Sequence, residues 1–192
     1  MLLTFEESIR LILLYSHLIL CALALAHVLK ADLDIVTGKF TREGLRSMAH
    51  QISVVLTLLW VTGLAIIYLD TGFDPAILAE KPKLLLKLMC VVVLTANGMV
   101  LHHISFPVLI KAGPLSTWES IFLACTGALS TSHWLMAAFI GIARPLGRIP
   151  IESLATFYGA ICLATLLVSL MCSATIRRRL LDWQLSQALR QL

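Results

Sequence analysis

The sequence predicts an all-α integral membrane bundle: five transmembrane helices in residues 1–176 and a cytoplasmic amphipathic tail in residues 177–192. Three observations predict it. Apolar residues make up 59% of the chain and charged residues 14%, with a mean hydropathy of +0.91. So much apolar surface has lipid as its natural solvent. Five long apolar runs are separated by short segments that carry charges, Gly and Pro. Finally, Arg177-Arg178-Arg179 opens a stretch in which Leu181, Leu185, Ala188 and Leu192 share one helix face. With Trp183 beside it, that stretch reads as a helix on an anionic membrane surface.

The first span is expected from about Ser8 to Lys30, with His17 near its middle and His27 near its end. Ala24-Leu25-Ala26 matches a signal-cleavage pattern, but Glu6 and Glu7 spoil the basic flank, so the segment reads as a retained helix. A loop is expected over Ala31 to Leu45, with Asp32 and Asp34 in it. The second span follows from about Arg46 to Leu69. In it His50, Ser53, Thr57 and Trp60 recur on one helical stripe, and a polar stripe in a membrane helix is expected to face inward. Gly72 and Asp74-Pro75 signal a turn, and a short helical turn fits Ala76 to Glu80.

The third span opens at Pro82, a good first-turn residue, and runs to Pro107 or Ile110. It carries Lys87, Asn97 and the pair His102-His103 in an otherwise apolar run. Lys87, Asn97, Gly98 and His102 fall in one broad arc, with His103 nearly opposite Lys87. Gly98 is expected to permit close approach by a helix or a flat cofactor. A short loop, Ala112 to Leu115, leads to a fourth span over Ser116 to Ala143. There Gly127, Ser130, Trp134, Ala138 and Gly141 make a mostly small face, with His133 to one side. Arg144 to Pro150 forms a turn, and the fifth span, about Glu152 to Ile176, is the least polar.

The composition also excludes some classes. The net charge of +4 is dispersed over loops and tail, with no nucleic-acid-binding motif. Cys21, Cys90, Cys125, Cys162 and Cys172 lie in apolar runs without a CxxC pair and read as small fillers. There is no HExxH and few carboxylates are expected inside the spans, which disfavours dinuclear metal chemistry. Lys and Arg are richer on the side that holds the first loop, the third loop and the tail. The positive-inside rule therefore puts the C-terminus in the cytoplasm and the N-terminus outside.

Six histidines among so few polar core residues are the main functional signal. By rise along the spans, His27, His50, His102 and His103 form a layer near the cytoplasmic face, and His17 and His133 a deeper one. Histidines from different helices at matched depth are what a bis-His haem site needs. His17 with His133, and His50 with His102, are the expected iron ligands. His27 and His103 are substitutes, and Asn97 and Lys87 are further cofactor contacts, Lys87 as a cation for a propionate. The same histidines also fit packing across helices, or an ion or proton route. Lys87 also fits a side chain that snorkels to the headgroups.

With His17 in Tyr15-Ser16-His17-Leu18-Ile19-Leu20 and a third span opening Lys81-Pro82-Lys83…Lys87-Leu88, the first four spans resemble a set of small bacterial membrane proteins. The set includes HemJ-type protoporphyrinogen oxidases and CopD-like membrane domains. Asn97-Gly98 stands where the HemJ type has a histidine, and His102 follows about a turn later. The resemblance implies haem b in a helical bundle of the bacterial inner membrane, and for the HemJ type oxidation of a tetrapyrrole precursor.

The expected function is thus that of a haem-b redox protein in contact with membrane lipids. It would transfer electrons to a redox partner or quinone, or oxidise a lipophilic or tetrapyrrole substrate. The alternatives are a small transporter or channel, or an accessory subunit, including one in a homo-oligomer.

Overall fold

The computed structural model describes residues 4–39, 41–110 and 115–189. Its elements, in order, are α1 (Phe5–Thr37), α2 (Arg42–Thr71), the short α3 (Pro75–Ala79) and α4 (Pro82–Val100). A π-helical turn (Leu101–Ser105) carries α4 into α5 (Phe106–Ile110). Then come α6 (Thr117–Ile142), a 3₁₀ turn (Arg144–Arg148) and α7 (Ile151–Leu189). Among the described residues, five stretches are long and apolar enough to cross a membrane: Phe5–Ile35, Glu43–Thr71, Pro82–Leu109, Thr117–Ile142 and Ile151–Met171. Their outward faces are apolar, as at Ile12, Val61 and Met171, which suits lipid. The chain is an all-α membrane bundle.

Local chemistry sets the ends. Thr4 and Glu7 form a capping box at the start of α1, and Ser116 and Glu119 form another at α6. Thr41 caps α2 by accepting from the Gly44 amide at 3.0 Å. Gly38 (φ 70°) and Gly72 (φ 59°) end α1 and α2 in the left-handed conformation that glycine adopts without strain. Asp74 Oδ1 accepts from the Ala76 amide at 2.8 Å and starts α3 on Pro75, at the expected short turn.

Two boundaries differ from expectation. No breaker occurs between Lys30 and Gly38, and Lys30 Nζ pairs with Asp34 at 2.7 Å one turn on. Helix α1 therefore continues, so Asp32 and Asp34 are helical and not in a loop. At the other end, the fifth span and the tail form one unbroken helix of 39 residues, about 58 Å long. The arginines do not interrupt it, because arginine is a good helix former. The tail is helical as expected, but it is no separate element. Ala112 to Pro114 of the expected third loop, and Arg190 to Leu192, lie outside the described residues.

Helix α6 is the centre of the bundle. It packs on α7, α4 and α1, and its span has the largest buried share of the five. One core joins α4, α6 and α7 through Leu86, Cys90, Met136, Ile140, Leu154 and Tyr158. A second joins α1, α2, α4 and α6 through Ala24, Val28, Leu59, Leu94 and Trp134. Helix α2 is peripheral, with α1 as its one extensive partner. At its far end Asp70 pairs with Arg10 Nε at 2.7 Å, and the Asp70 carbonyl accepts from Lys81 Nζ at 3.0 Å.

The polar stripe of the second span does not line the interior. His50, Ser53 and Thr57 are exposed, and only Trp60 of the four is partly covered. Ser53 Oγ donates to the Ala49 carbonyl and Thr57 Oγ1 to the Ser53 carbonyl, both at 2.9 Å. Hydroxyls satisfied by their own helix have no need of an interior position.

Candidate functional site

A cavity of about 640 Å³ lies between α1, α2, α4 and α6. Most of its wall is leucine, isoleucine, valine and alanine. The exceptions are His17 and Cys21 from α1, Trp60 and Gly63 from α2, Lys87 from α4, and Trp134 with Gly141 from α6. Four helices thus bring one imidazole, one ammonium, one thiol and two indoles to a single apolar space.

His17 is held by α2. Its Nδ1 lies 2.8 Å from Thr62 Oγ1. The Thr62 hydroxyl already donates to the Leu58 carbonyl at 2.8 Å, with a second, longer contact to the Leu59 carbonyl at 3.3 Å. A hydroxyl has one proton, so towards His17 it acts as acceptor. With the Thr62 proton on the Leu58 carbonyl, His17 would carry its own proton on Nδ1 and keep a lone pair on Nε2. This is the arrangement that orients a histidine for metal ligation. The ring packs over Gly63: a Cβ there would lie 3.4 Å from His17 Cε1, an ordinary van der Waals contact.

The remaining polar groups of the cavity are arranged in the same manner. Trp60 Nε1 donates to Thr95 Oγ1 at 3.0 Å, and Thr95 in turn donates to the Val91 carbonyl at 2.8 Å. This bond ties α2 to α4 across a seam where the two helices otherwise make little contact. Lys87 is partly covered, and no carboxylate pairs with it among the described residues.

The expected partner of His17 is elsewhere. His133 is buried on α6 but stacks edge-on against Tyr158 of α7, with centroids 5.4 Å apart and planes at 89°. Its Nδ1 lies 2.6 Å from the Leu129 carbonyl, and Cys90 Sγ donates to its own carbonyl at 3.4 Å. Its neighbour Trp134 takes the cavity wall, and a step of about 100° turns His133 towards α7. His17 and His133 match in depth and differ in direction, so they are not two ligands of one site.

The histidines expected in the second layer do not converge either. His27 is partly covered, with Nδ1 2.7 Å from the Leu23 carbonyl of its own helix. His50 is exposed. His102 and His103 are exposed and stack edge-to-face with centroids 5.1 Å apart. His102 borders a smaller cavity of about 400 Å³ with Glu43, Arg46 and Ala49, which His50 does not line. Both His102 and His103 lie in the π-helical turn, where the Phe106 amide donates to the Leu101 carbonyl. Pro107 explains the turn: it has no amide proton, and its ring opposes the carbonyl four residues back. Among the described residues, no group of three or more His, Cys, Asp or Glu could hold a metal ion.

Asn97 and Gly98 also differ from expectation. Asn97 is buried, and its Nδ2 donates to the Thr126 carbonyl at 2.9 Å. Ser105 Oγ lies 3.0 Å from Thr126 Oγ1. The two residues bracket Thr126 and pin α4 to α6, because a buried amide in an apolar bundle is satisfied at a neighbouring backbone. Asn97 does not line the large cavity. A Cβ on Gly98 would meet nothing within 4 Å, and the same holds for Gly127 and Gly141, so none of these marks a tight helix crossing.

Two features escaped the sequence reading. The Thr62-Gly63 seat was visible as a glycine in the middle of an apolar span, the kind that usually has a packing reason. Asp32 was assigned to a loop and instead accepts a hydrogen bond from Thr131 Oγ1 of α6. It is a carboxylate inside the long first helix. It does not line the His17 cavity.

No protein-family model, no curated protein and no solved structure matches the chain. These comparisons give no support to the resemblance to HemJ-type and CopD-like proteins; of the residues on which it was expected, His17 and Lys87 share the cavity.

Proposed function

We propose that the protein is a redox protein that holds one haem b in the cavity between α1, α2, α4 and α6, and acts on a lipophilic substrate or redox partner. One observation carries this reading: His17 faces a largely apolar cavity of about 640 Å³ with Nδ1 engaged by Thr62 and Nε2 left with a lone pair. The volume lies within the range of about 300–1,000 Å³ usual for cofactor pockets. The donor set fits a haem held by one histidine, and it fits a single site in place of two stacked layers. Nε2 of His17 would hold the iron and Lys87 would pair with a propionate. Trp60 and Trp134 offer aromatic surface to a macrocycle. Haem, when bound, would supply one-electron chemistry at the His17 end of the cavity.

The chain itself does three things in this reading. Thr62 fixes the tautomer of His17, Gly63 seats its ring, and the leucine walls keep water out. An ion route has less support, because the cavity wall is mostly apolar and Asp32 does not line it. The reading includes a bacterial inner membrane with the C-terminus cytoplasmic, on the distribution of Lys and Arg.

The test is the visible spectrum of the full-length protein, expressed with ample haem and purified in detergent. A Soret band is expected in the wild type, lost in His17→Ala and retained in His50→Ala, His102→Ala and His133→Ala. Absence of the band from the wild type, or its persistence in His17→Ala, would reject the proposal.

A further inference from the structure

A second site lies at the opposite end of the bundle. Where α6 begins and α7 leaves its apolar span, a cavity of about 310 Å³ is lined by Thr117, Ser120, Ile121, Ser173, Arg177 and Arg178, among others. Arg177 Nη1 donates to Thr117 Oγ1 at 3.0 Å. Its Nε is buried and has no hydrogen-bond partner. An arginine that commits one donor to a neighbour and leaves a second buried and unsatisfied is an exception to the usual pairing of buried polar groups.

The other polar groups of the cavity do not fill that role. Ser120 Oγ donates to the Ser116 carbonyl at 2.9 Å, and Ser173 Oγ to the Leu170 carbonyl at 2.7 Å. Among the described residues, no carboxylate lines the cavity. Glu119 of α6 accepts from the Ser116 amide at 2.7 Å. The space thus carries two positive charges and at least one donor in search of an anionic acceptor.

We propose that this cavity binds a phosphate group, supplied by the headgroup of an anionic phospholipid. Phosphate oxygens match the fork of the arginine Nε and a terminal nitrogen. The depth fits a headgroup. The fourth span begins at Thr117 and the fifth ends at Met171, so the cavity lies at the edge of the apolar layer. Trp118, 80% exposed, stands beside it at the level where tryptophans mark the membrane interface. Ile121, Ala174 and Leu181 complete the wall and offer apolar surface to the glycerol and upper chains of a lipid. A free phosphate ion would use the same arginines and leave that apolar surface without a partner.

The experiment is native mass spectrometry of the full-length protein in detergent, titrated with phosphatidylglycerol, phosphatidylcholine or inorganic phosphate. The wild type retains one phosphatidylglycerol in preference to phosphatidylcholine. Arg177→Gln lowers that affinity by about tenfold, as loss of a charge-assisted pair does. Arg178→Gln lowers it by a smaller factor, and Arg10→Gln at the other end of the bundle leaves it unchanged. Arg178 is exposed, so its variant keeps the test readable if Arg177→Gln fails to fold. Binding of inorganic phosphate without lipid retention would overturn the lipid assignment in favour of the free anion. Equal phosphatidylglycerol retention in the wild type, Arg178→Gln and Arg177→Lys, which keeps the charge but removes the fork, would overturn the site.

Discussion

His17 on α1 and Thr62 on α2 face each other at 2.8 Å, and the Thr62 proton is already committed to the Leu58 carbonyl. A side chain that only packs could be replaced by its isostere without effect on its neighbour. Thr62 cannot, because it decides which nitrogen of His17 is protonated.

Thr62→Val keeps the shape and removes the acceptor. Haem affinity is expected to fall by about 10-fold or more, the usual result of losing an outer partner of a ligating histidine. Haem titration followed at the Soret band measures it, with Thr57→Val, on the exposed side of α2, as the unchanged reference.

Gly63→Leu should abolish haem binding while leaving the helical content intact. Its Cβ alone would come within 3.4 Å of His17 Cε1, and the remaining atoms would take up the cavity. Gly63→Ala, which adds only that Cβ, should keep the band and change its position. Circular dichroism separates these outcomes from misfolding.

Asn97→Ala should destabilise the bundle without affecting the site. It removes the amide that bonds the Thr126 carbonyl of α6, which keeps its bond within the helix, a loss of about 0.5–1.5 kcal/mol. Denaturation in detergent followed by circular dichroism reports the loss, and an unchanged visible spectrum shows that Asn97 pins helices and does not contact the cofactor.

Trp60→Phe retains an aromatic wall and cuts the bond to Thr95 across the α2–α4 seam. Loading with haem from detergent solution is expected to become faster. Stopped-flow absorbance measures the rate, and an equal rate in both proteins would show that the seam does not limit access.

The fold was legible because hydropathy and capping chemistry are local. The five spans, the turn at Asp74-Pro75 and the Pro82 start follow from runs of a few residues each. The candidate site was legible only as a list of types. His17 and Lys87 stood out as polar groups in apolar runs, and they share a cavity. Their companions were chosen by depth, and depth alone does not say which way a side chain turns. His133 shows the consequence: it is buried on the helix expected but directed at Tyr158. Ser53 and Thr57 misled for another reason, since a hydroxyl bonded to its own helix is a poor marker of the interior.

Helix α2 supplies Trp60 and Gly63 to the cavity and Thr62 to His17 behind it, and α1 is its main neighbour. Between α2 and α4 the cavity is bridged by the Trp60–Thr95 bond, with little direct contact between the two helices around it. A bound macrocycle would touch α2 and α4 together and act as mortar between them. Such a ligand stabilises the segment it completes more than the remainder. In hydrogen exchange, the amides of α2 should slow most on loading, and those of α6 and α7 least. Occupancy of the cavity would then decide whether five helices behave as one body or as four with a companion.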